Sequence, residues 1–517
     1  MPIKAGESFA RAAKQLGFDL ILANAGTTET EFVGATVPEF GDRFILCLHE
    51  DVASGAADGY ARITGKPALV NLHLGPGLAH ALNNVHNAKQ AGSPMVLVVG
   101  DHDHEHVDAG APLGSDIFTL AQPFSRWVRT ARCEKNIYRD LADATAASMY
   151  PRGGIATLIV PNDLLGNEIE DTPEVSLVHS SMGPASAGSI SECASALDAA
   201  ENPLIILGGK CCDRVGIETA DRIVKTTGGR AVAETFPTAL ARGGGLPEIG
   251  KLSYPGPTVR GEIAPHDVIV LAGIPDFVPF FADKVDRSFI RETGKRIFVA
   301  DVEPHGSGIV PLWGDPHATL SAIADEVGAK PFEASVVDQG SGSPVGRAIA
   351  SAVGDGAVVV DEAVTNGQGV FSALAGTVEH TYMTIKGGAL GGGMPVALGA
   401  ALADSTRQVV SIVGDGAACY ANQALWNMAK LEANITVVIF NNANYDIISY
   451  ELMRAGFNPP PEQAVAIEPR VNFAEIAEGF GMKGIRLDAP DEAVIAEAVA
   501  SPEPVLLDVI VPSMFRQ

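Results

Sequence analysis

Short apolar β-runs alternate with helix-like stretches along almost the whole chain, and this alternation constrains the fold more than any other feature. Runs at 20–23, 44–48, 68–72, 95–99 and 156–160 form a first group. Those at 203–207, 230–233, 267–271 and 296–300 form a second, and those at 357–360, 408–413, 435–440 and 504–510 a third. Strands joined through helices run parallel, so each group predicts a parallel sheet with helices on its faces. Polar and small-residue connectors at 166–189 and 338–344 separate the groups. The expected architecture is α/β, with three doubly wound parallel-sheet domains at 1–168, 186–335 and 345–517.

A chain of 517 residues with 46% hydrophobic residues and 56 glycines suits three domains of common size. The net charge of −26 and a pI near 4.8 argue against nucleic acid and anionic membranes as partners, because both would repel it. No apolar stretch approaches the length of a membrane span, and the first residues lack the apolar core of a signal peptide, so a cytoplasmic location is expected. The six cysteines show no zinc-type spacing, and Cys211-Cys212 are poorly placed for a bridge, so all six read as buried thiols.

Gly414-Asp415-Gly416 ends one β-run, and Asn441-Asn442 ends the next, with a helix-like stretch at 422–432 between them. In a parallel sheet ligands gather at the carboxyl ends of strands, which brings Asp415 and Asn442 to one crevice. Hard oxygen ligands there suit Mg²⁺ and a diphosphate. Gly-Asp-Gly alone also makes an ordinary turn. His49-Glu50-Asp51 likewise follows a strand and opens a helix, where Glu50 could serve a site or simply favour the positive end of the helix dipole.

The Gly-Asp-Gly segment with its paired asparagines resembles the cofactor motif of thiamine diphosphate (ThDP) enzymes. Leu48-His49-Glu50 with Ala53, residues 57–62 and Gly75-Pro76-Gly77 resembles the pyrimidine-binding domain of the pyruvate decarboxylase and acetolactate synthase superfamily. The similarity covers essentially the whole chain, as pyrimidine-binding, middle and pyrophosphate-binding domains. Its nearest look is to benzoylformate decarboxylases, through residues 24–29 and Asn71-Leu72-His73, whereas Gly75-Pro76-Gly77 resembles acetolactate synthases more. The histidine that benzoylformate decarboxylases carry in the middle domain is absent, and an ungapped match puts Phe280 there.

The resemblance implies a role for each site residue. Glu50 would hydrogen-bond the cofactor pyrimidine and promote loss of the thiazolium C2 proton. Asp415, the Asn442 side chain and the Asn444 backbone carbonyl would hold Mg²⁺. The Gly416 and Ala417 amides, with Thr365 and Asn366, would receive the diphosphate. The Gly388 carbonyl would accept from the pyrimidine amine, and Leu390 would wedge between the cofactor rings. His73 is read either as a proton donor to intermediates or as a satisfied structural histidine. Thr27 or Thr28 would bind the substrate carboxylate or cap the following helix. Ile448, with Ile447 and Glu451, would line the substrate pocket. The Tyr445-Asp446 pair replaces a Tyr-Gly of many relatives. His80 carries no assigned role. In the loop at 101–106, His104 or His106 would reach the substrate, or the loop is simply solvated.

The implied activity is non-oxidative, ThDP- and Mg²⁺-dependent decarboxylation of a 2-oxo acid through an enamine, with capacity for carboligation. The alternatives are an acetolactate-synthase-like carboligase and a non-catalytic ThDP-binding subunit. FAD in the middle domain stays open, because acetolactate synthases and pyruvate oxidases carry it there without a short motif. Nicotinamide binding is not expected, since Gly391-Gly392-Gly393 lacks the GxGxxG context. A homodimer or homotetramer is expected, with Glu50 of one chain meeting the Asp415 half of another.

Overall fold

The structure is a computed structural model that describes residues 2–170, 174–177, 181–280, 295–306, 308–338 and 340–516. The first domain supplies β1 (Ile21–Asn24), β2 (Phe44–Leu46), β3 (Ala68–Leu72), β4 (Met95–Asp101), β5 (Trp127–Thr130) and β6 (Ile155–Pro161). Next come β7 (Leu204–Leu207), β8 (Arg230–Ala233), β9 (Leu240–Arg242), β10 (Val268–Ala272), β11 (Arg296–Asp301) and β12 (Val310–Trp313). The last part supplies β13 (Ala357–Glu362), β14 (His380–Thr384), β15 (Val409–Gly414), β16 (Ile435–Asn441), β17 (Lys483–Leu487) and β18 (Val505–Ile510).

These strands form three large sheets. The first runs β2-β1-β3-β4-β6-β5, the middle β8-β7-β10-β11-β12 and the third β9-β14-β13-β15-β16-β18-β17. All neighbours pair in parallel except β9, which runs antiparallel to β14. Every residue of β3 and β16 is buried, as parallel strands covered on both faces require. The first and third sheets trace the same strand order once β9 is set aside. Each therefore has a switch point, between β1 and β3 and between β13 and β15, where a ligand crevice opens at the carboxyl ends.

Strand β9 departs from the sequence expectation. It lies between two strands of the middle sheet in the chain, yet it joins the third sheet. Leu-Ala-Arg is too short to show alternation. Its place is fixed by backbone pairing with His380–Tyr382 and by the Arg242 guanidinium, 3.7 Å from the Phe371 ring centre. The cysteine expectation is also corrected. Cys47, Cys193, Cys211 and Cys212 are buried, but Cys133 is half-buried and Cys419, at the end of the short helix that Asp415 opens, is exposed. Among the described residues no helix is long and apolar enough to cross a membrane.

The first and third domains pack through α1 (Glu50–Thr64) against α3 (Gly393–Ala403); α2 (Leu74–Ala91) follows β3. The crossing is backbone to backbone: a Cβ on Gly59 would strike the Val396 carbonyl, and one on Gly399 the Ala56 carbonyl. A single apolar cluster runs from Val52 and Ala56 in α1 to Met394 and Val396 in α3. Arg62 closes the far end, pairing with Asp58 at 2.6 Å and donating to the Thr384 carbonyl at 2.6 Å. The middle domain is tied in by Arg152, which donates to the Gly273 carbonyl at 2.8 Å and pairs with Asp301 at 3.1 Å, and by a Lys386–Glu234 ion pair.

Candidate active site

In the third domain β15 delivers Asp415 to the start of a one-turn helix, and β16 delivers Asn442 beside it. Asp415 is buried, and its two oxygens accept from the Gly416 N–H at 2.8 Å and the Ala443 N–H at 2.6 Å. Burial pushes its carboxyl up to about 6, and the negative charge of Asp446 adds to this. The Asn442 side-chain oxygen accepts from the Asn444 N–H at 2.9 Å. The Asn444 side-chain oxygen is buried without a partner, while its amide donates to Asp446 at 2.7 Å and Ser449 at 3.0 Å. These buried oxygens, one carboxylate and several amide groups, fit a divalent cation that completes its shell with phosphate oxygens.

Asp446, where a glycine is common in the resembled family, has a structural task here. It accepts from the Ser513 hydroxyl at 2.5 Å and the Met514 N–H at 3.0 Å, which fastens the segment after β18 to the Asn444 loop. The helix it opens, α4 (Asp446–Arg454), exposes Ile448. Beyond β13, Val364 adopts a left-handed φ of 49°, followed by half-buried Thr365 and Asn366. They follow β13 at its carboxyl end, on the β13/β15 switch point.

The glycine-rich turn at 387–393 sits over this crevice. Gly388 has a φ of 72°, and a Cβ on it would strike the ring of Phe280. Phe280 itself packs against Phe236 at 5.2 Å and Tyr254 at 5.8 Å between ring centres, so an aromatic cluster of the middle domain borders the turn. Leu390 is half-buried. The N–H groups of Gly391, Gly392 and Gly393 donate to the Glu362 carboxylate at 2.8, 3.1 and 2.8 Å. Burial raises Glu362 to about 7 in spite of these three donors.

In the first domain His49 caps α1 by accepting from the Asp51 N–H at 3.2 Å, and Glu50 follows with its carboxylate 3.2 Å from His80 Nδ1. The His49 and His80 rings stack at 5.2 Å. His80 is the residue that sequence reasoning passed over. Its signal is its place on α2 three positions after Gly77, the residue that lets α2 approach Glu50. Among the described residues His49, Glu50 and His80 are the one group of three His, Cys, Asp or Glu side chains close enough to share a metal ion. The 101–106 loop forms none; there His104 pairs with Asp163 at 2.9 Å.

His73 precedes α2, and its Nδ1 lies 2.9 Å from Glu29 and 3.1 Å from the Thr28 hydroxyl. Buried Glu29, also unassigned from sequence, accepts from the Gly26 N–H at 2.6 Å as well. Only glycine fits at 26, because a Cβ there would collide with the His73 ring. Thr28 donates to Glu29 at 2.5 Å, and neither Thr27 nor Thr28 caps a helix with its side chain. Glu50 and His73 face each other across Gly77. Within one chain Asn83 links the first domain to the glycine-rich turn, donating both to Asp51 at 3.3 Å and to the Leu390 carbonyl at 2.8 Å.

Comparison with known proteins agrees with this arrangement. Residues 3–120 match the family described as "Thiamine pyrophosphate enzyme, N-terminal TPP binding domain", and residues 368–509 match its C-terminal TPP binding domain. The chain is 38% identical to a Mycobacterium tuberculosis protein named "Putative acetolactate synthase large subunit IlvX", over 96% of this chain and 97% of that protein. It is 26% identical to benzoylformate decarboxylase of Pseudomonas aeruginosa over 95% of this chain and 96% of that one. The fold matches a 4-hydroxybenzoylformate decarboxylase from Rhodococcus jostii RHA1 with a TM-score of 0.87 at 24% identity, covering 99% of this chain and 100% of that one. The chain thus belongs to the ThDP-dependent enzymes of the decarboxylase and acetolactate synthase family.

Proposed function

We propose that the chain is a Mg²⁺- and ThDP-dependent lyase that decarboxylates a 2-oxo acid without oxidation. The observation that carries this reading is the burial of Asp415, Asn442 and Asn444 together at the carboxyl ends of β15 and β16, with Glu50 buried at the start of α1 in the first domain. Asp415, the Asn442 side chain and the Asn444 carbonyl would hold the cation. The Gly416 and Ala417 amides, Thr365 and Asn366 would hold the diphosphate. Gly388 and Leu390 would hold the pyrimidine. When bound, the thiazolium supplies a carbon nucleophile and an electron sink. Glu50 holds a proton at the pyrimidine nitrogen, with His80 as its polar neighbour. His73, with Nδ1 taken by Glu29 and Thr28, presents Nε2 for proton transfer to the substrate carbon. Thr27 stands free to receive the substrate carboxylate. Ile448 and the Phe236–Tyr254–Phe280 cluster favour an apolar substrate side chain.

A second reading, carboligation of the acetolactate synthase kind, is favoured by the extent of the likeness to the mycobacterial relative. Exposed Leu46, Leu48, Val364 and Tyr420 around the crevice support assembly as a homodimer or homotetramer. The deciding experiment measures CO₂ release from aliphatic and aromatic 2-oxo acids with ThDP and Mg²⁺ supplied, and identifies the organic product. An aldehyde is expected. A 2-hydroxy ketone or acetolactate as sole product moves the chain to the second reading, and no CO₂ from any acid sinks both.

A further inference from the structure

The turn at 387–393 belongs to the third domain, yet much of what holds it comes from α2 of the first. Asn83 Nδ2 donates to the Leu390 carbonyl at 2.8 Å, Asn84 Nδ2 to the Gly391 carbonyl at 3.3 Å, and Asn87 Nδ2 to the Ala389 carbonyl at 2.9 Å. Asn87 Oδ1 also accepts from the Ala389 N–H at 3.1 Å, and His86 Nε2 lies 3.2 Å from the Gly387 carbonyl. Asn84 and Asn87 are fully buried. Their remaining bonds run back to the start of α1: Asn87 donates to Asn84 at 2.9 Å, and the Asn84 N–H donates to the Asp51 carboxylate at 2.9 Å.

A segment with glycine at 387, 388, 391, 392 and 393 has little conformational preference of its own. Its shape must come from outside. Asn87 is suited to this because one amide group offers a donor and an acceptor to the same residue, as a neighbouring strand would. A carboxylate at that position has no proton to donate, and it would face the Ala389 carbonyl with like charge. A methyl group would leave both peptide groups of Ala389 buried without partners.

We propose that Asn87, supported by Asn83 and Asn84, is a positioning residue that sets the Gly388 carbonyl and the Leu390 side chain for catalysis, so that the first domain controls how the third presents its cofactor. This rests on the reading above that the turn holds the ThDP pyrimidine. The α2 side chains touch the turn from behind, so their loss should leave the cation and diphosphate contacts in place.

The test compares Asn87→Asp, Asn87→Ala and the milder Asn83→Ala with the wild-type protein, each with Mg²⁺ and saturating ThDP. Calorimetry gives ThDP affinity, thermal melting reports the fold, and NMR after acid quench gives the rate at which the cofactor C2 hydrogen exchanges with deuterated water. For Asn87→Asp, exchange is expected to slow by about 10- to 100-fold, with ThDP affinity changed far less. Asn83→Ala, losing one bond to the turn and one to Asp51, is expected to slow it by roughly 3-fold, and it decides the matter if the Asn87 variants do not fold. Folded, ThDP-loaded variants that exchange within about twofold of wild type overturn the positioning role alone. A wild-type protein that does not bind ThDP, or binds it without C2 exchange, overturns the proposed function and with it this inference.

Discussion

Glu50 and Asp415 are both acids buried at the carboxyl ends of parallel sheets, but their surroundings suit different tasks. Asp415 has only backbone donors, and on the proposed reading it holds a cation, so Asp415→Ala should lower Mg²⁺-dependent ThDP retention by about 100-fold or more. Retention by calorimetry at the wild-type level would rule out this metal site. Glu50 sits beside a histidine at a helix start, and Glu50→Gln should preserve folding and ThDP binding while turnover falls by roughly 10²–10⁴. Full turnover in that variant would refute the assignment. Glu362 offers a pH test. Burial raises its carboxyl above the unfolded value to about 7, so the folded state prefers it protonated. Its contribution therefore favours folding at low pH and is lost as pH rises through 7. In Glu362→Gln, the loss of stability between pH 5.5 and 8 seen by urea unfolding should be shallower by roughly 1–3 kcal/mol. An unchanged slope would show that the carboxyl is ionised throughout. Glu50, Asp415 and Asn442 stood out in the sequence as candidates because each follows a β-run, and the structure buries all three. His80, Glu29 and the α2 asparagines were not: Asn83 and the Leu390 carbonyl it holds are 307 positions apart, and a helix of mixed polar residues gives no hint of what it faces.

At the scale of elements, the crossing of α1 and α3 depends on residues without side chains. Gly59→Val should drive a branched side chain into the Val396 carbonyl and destabilise the protein by about 1–3 kcal/mol or more, because backbone cannot swing aside. Urea unfolding with a midpoint equal to wild type would contradict the close approach. The sheets themselves were largely legible, since fully buried parallel strands read as continuous Val, Ile and Leu runs. Five strands escaped: β5, β9, β12, β14 and β17. β5 is half-buried at every residue and so lacks a clear apolar run, and β9 borrows its sheet from another domain. In these two, long-range pairing outweighs local pattern.

On the scale of the whole molecule, the middle domain shares one apolar cluster with the third, from Leu207 and Leu240 to Val359 and Tyr382, and cross-domain ion pairs add to it. Burial lowers Lys386 to about 8, and its partner Glu234 is buried as well. Removing the lysine leaves that carboxylate unpaired, so Lys386→Ala should cost about 3–5 kcal/mol and split a single calorimetric transition into two. One transition at the wild-type temperature would mean the pair contributes nothing to domain coupling. The three-domain plan was readable from the spacing of β-runs, whereas these joints were not, because single lysines and arginines in loops look alike whether solvated or buried.

The glycine crossing of α1 and α3 also limits how such a chain can be recombined. At Gly59 and Gly399 backbone meets backbone, so at these points the interface has no side chain that can repack around a foreign surface. A chimera that takes its third domain from a relative would have to take α1 and α2 along with it.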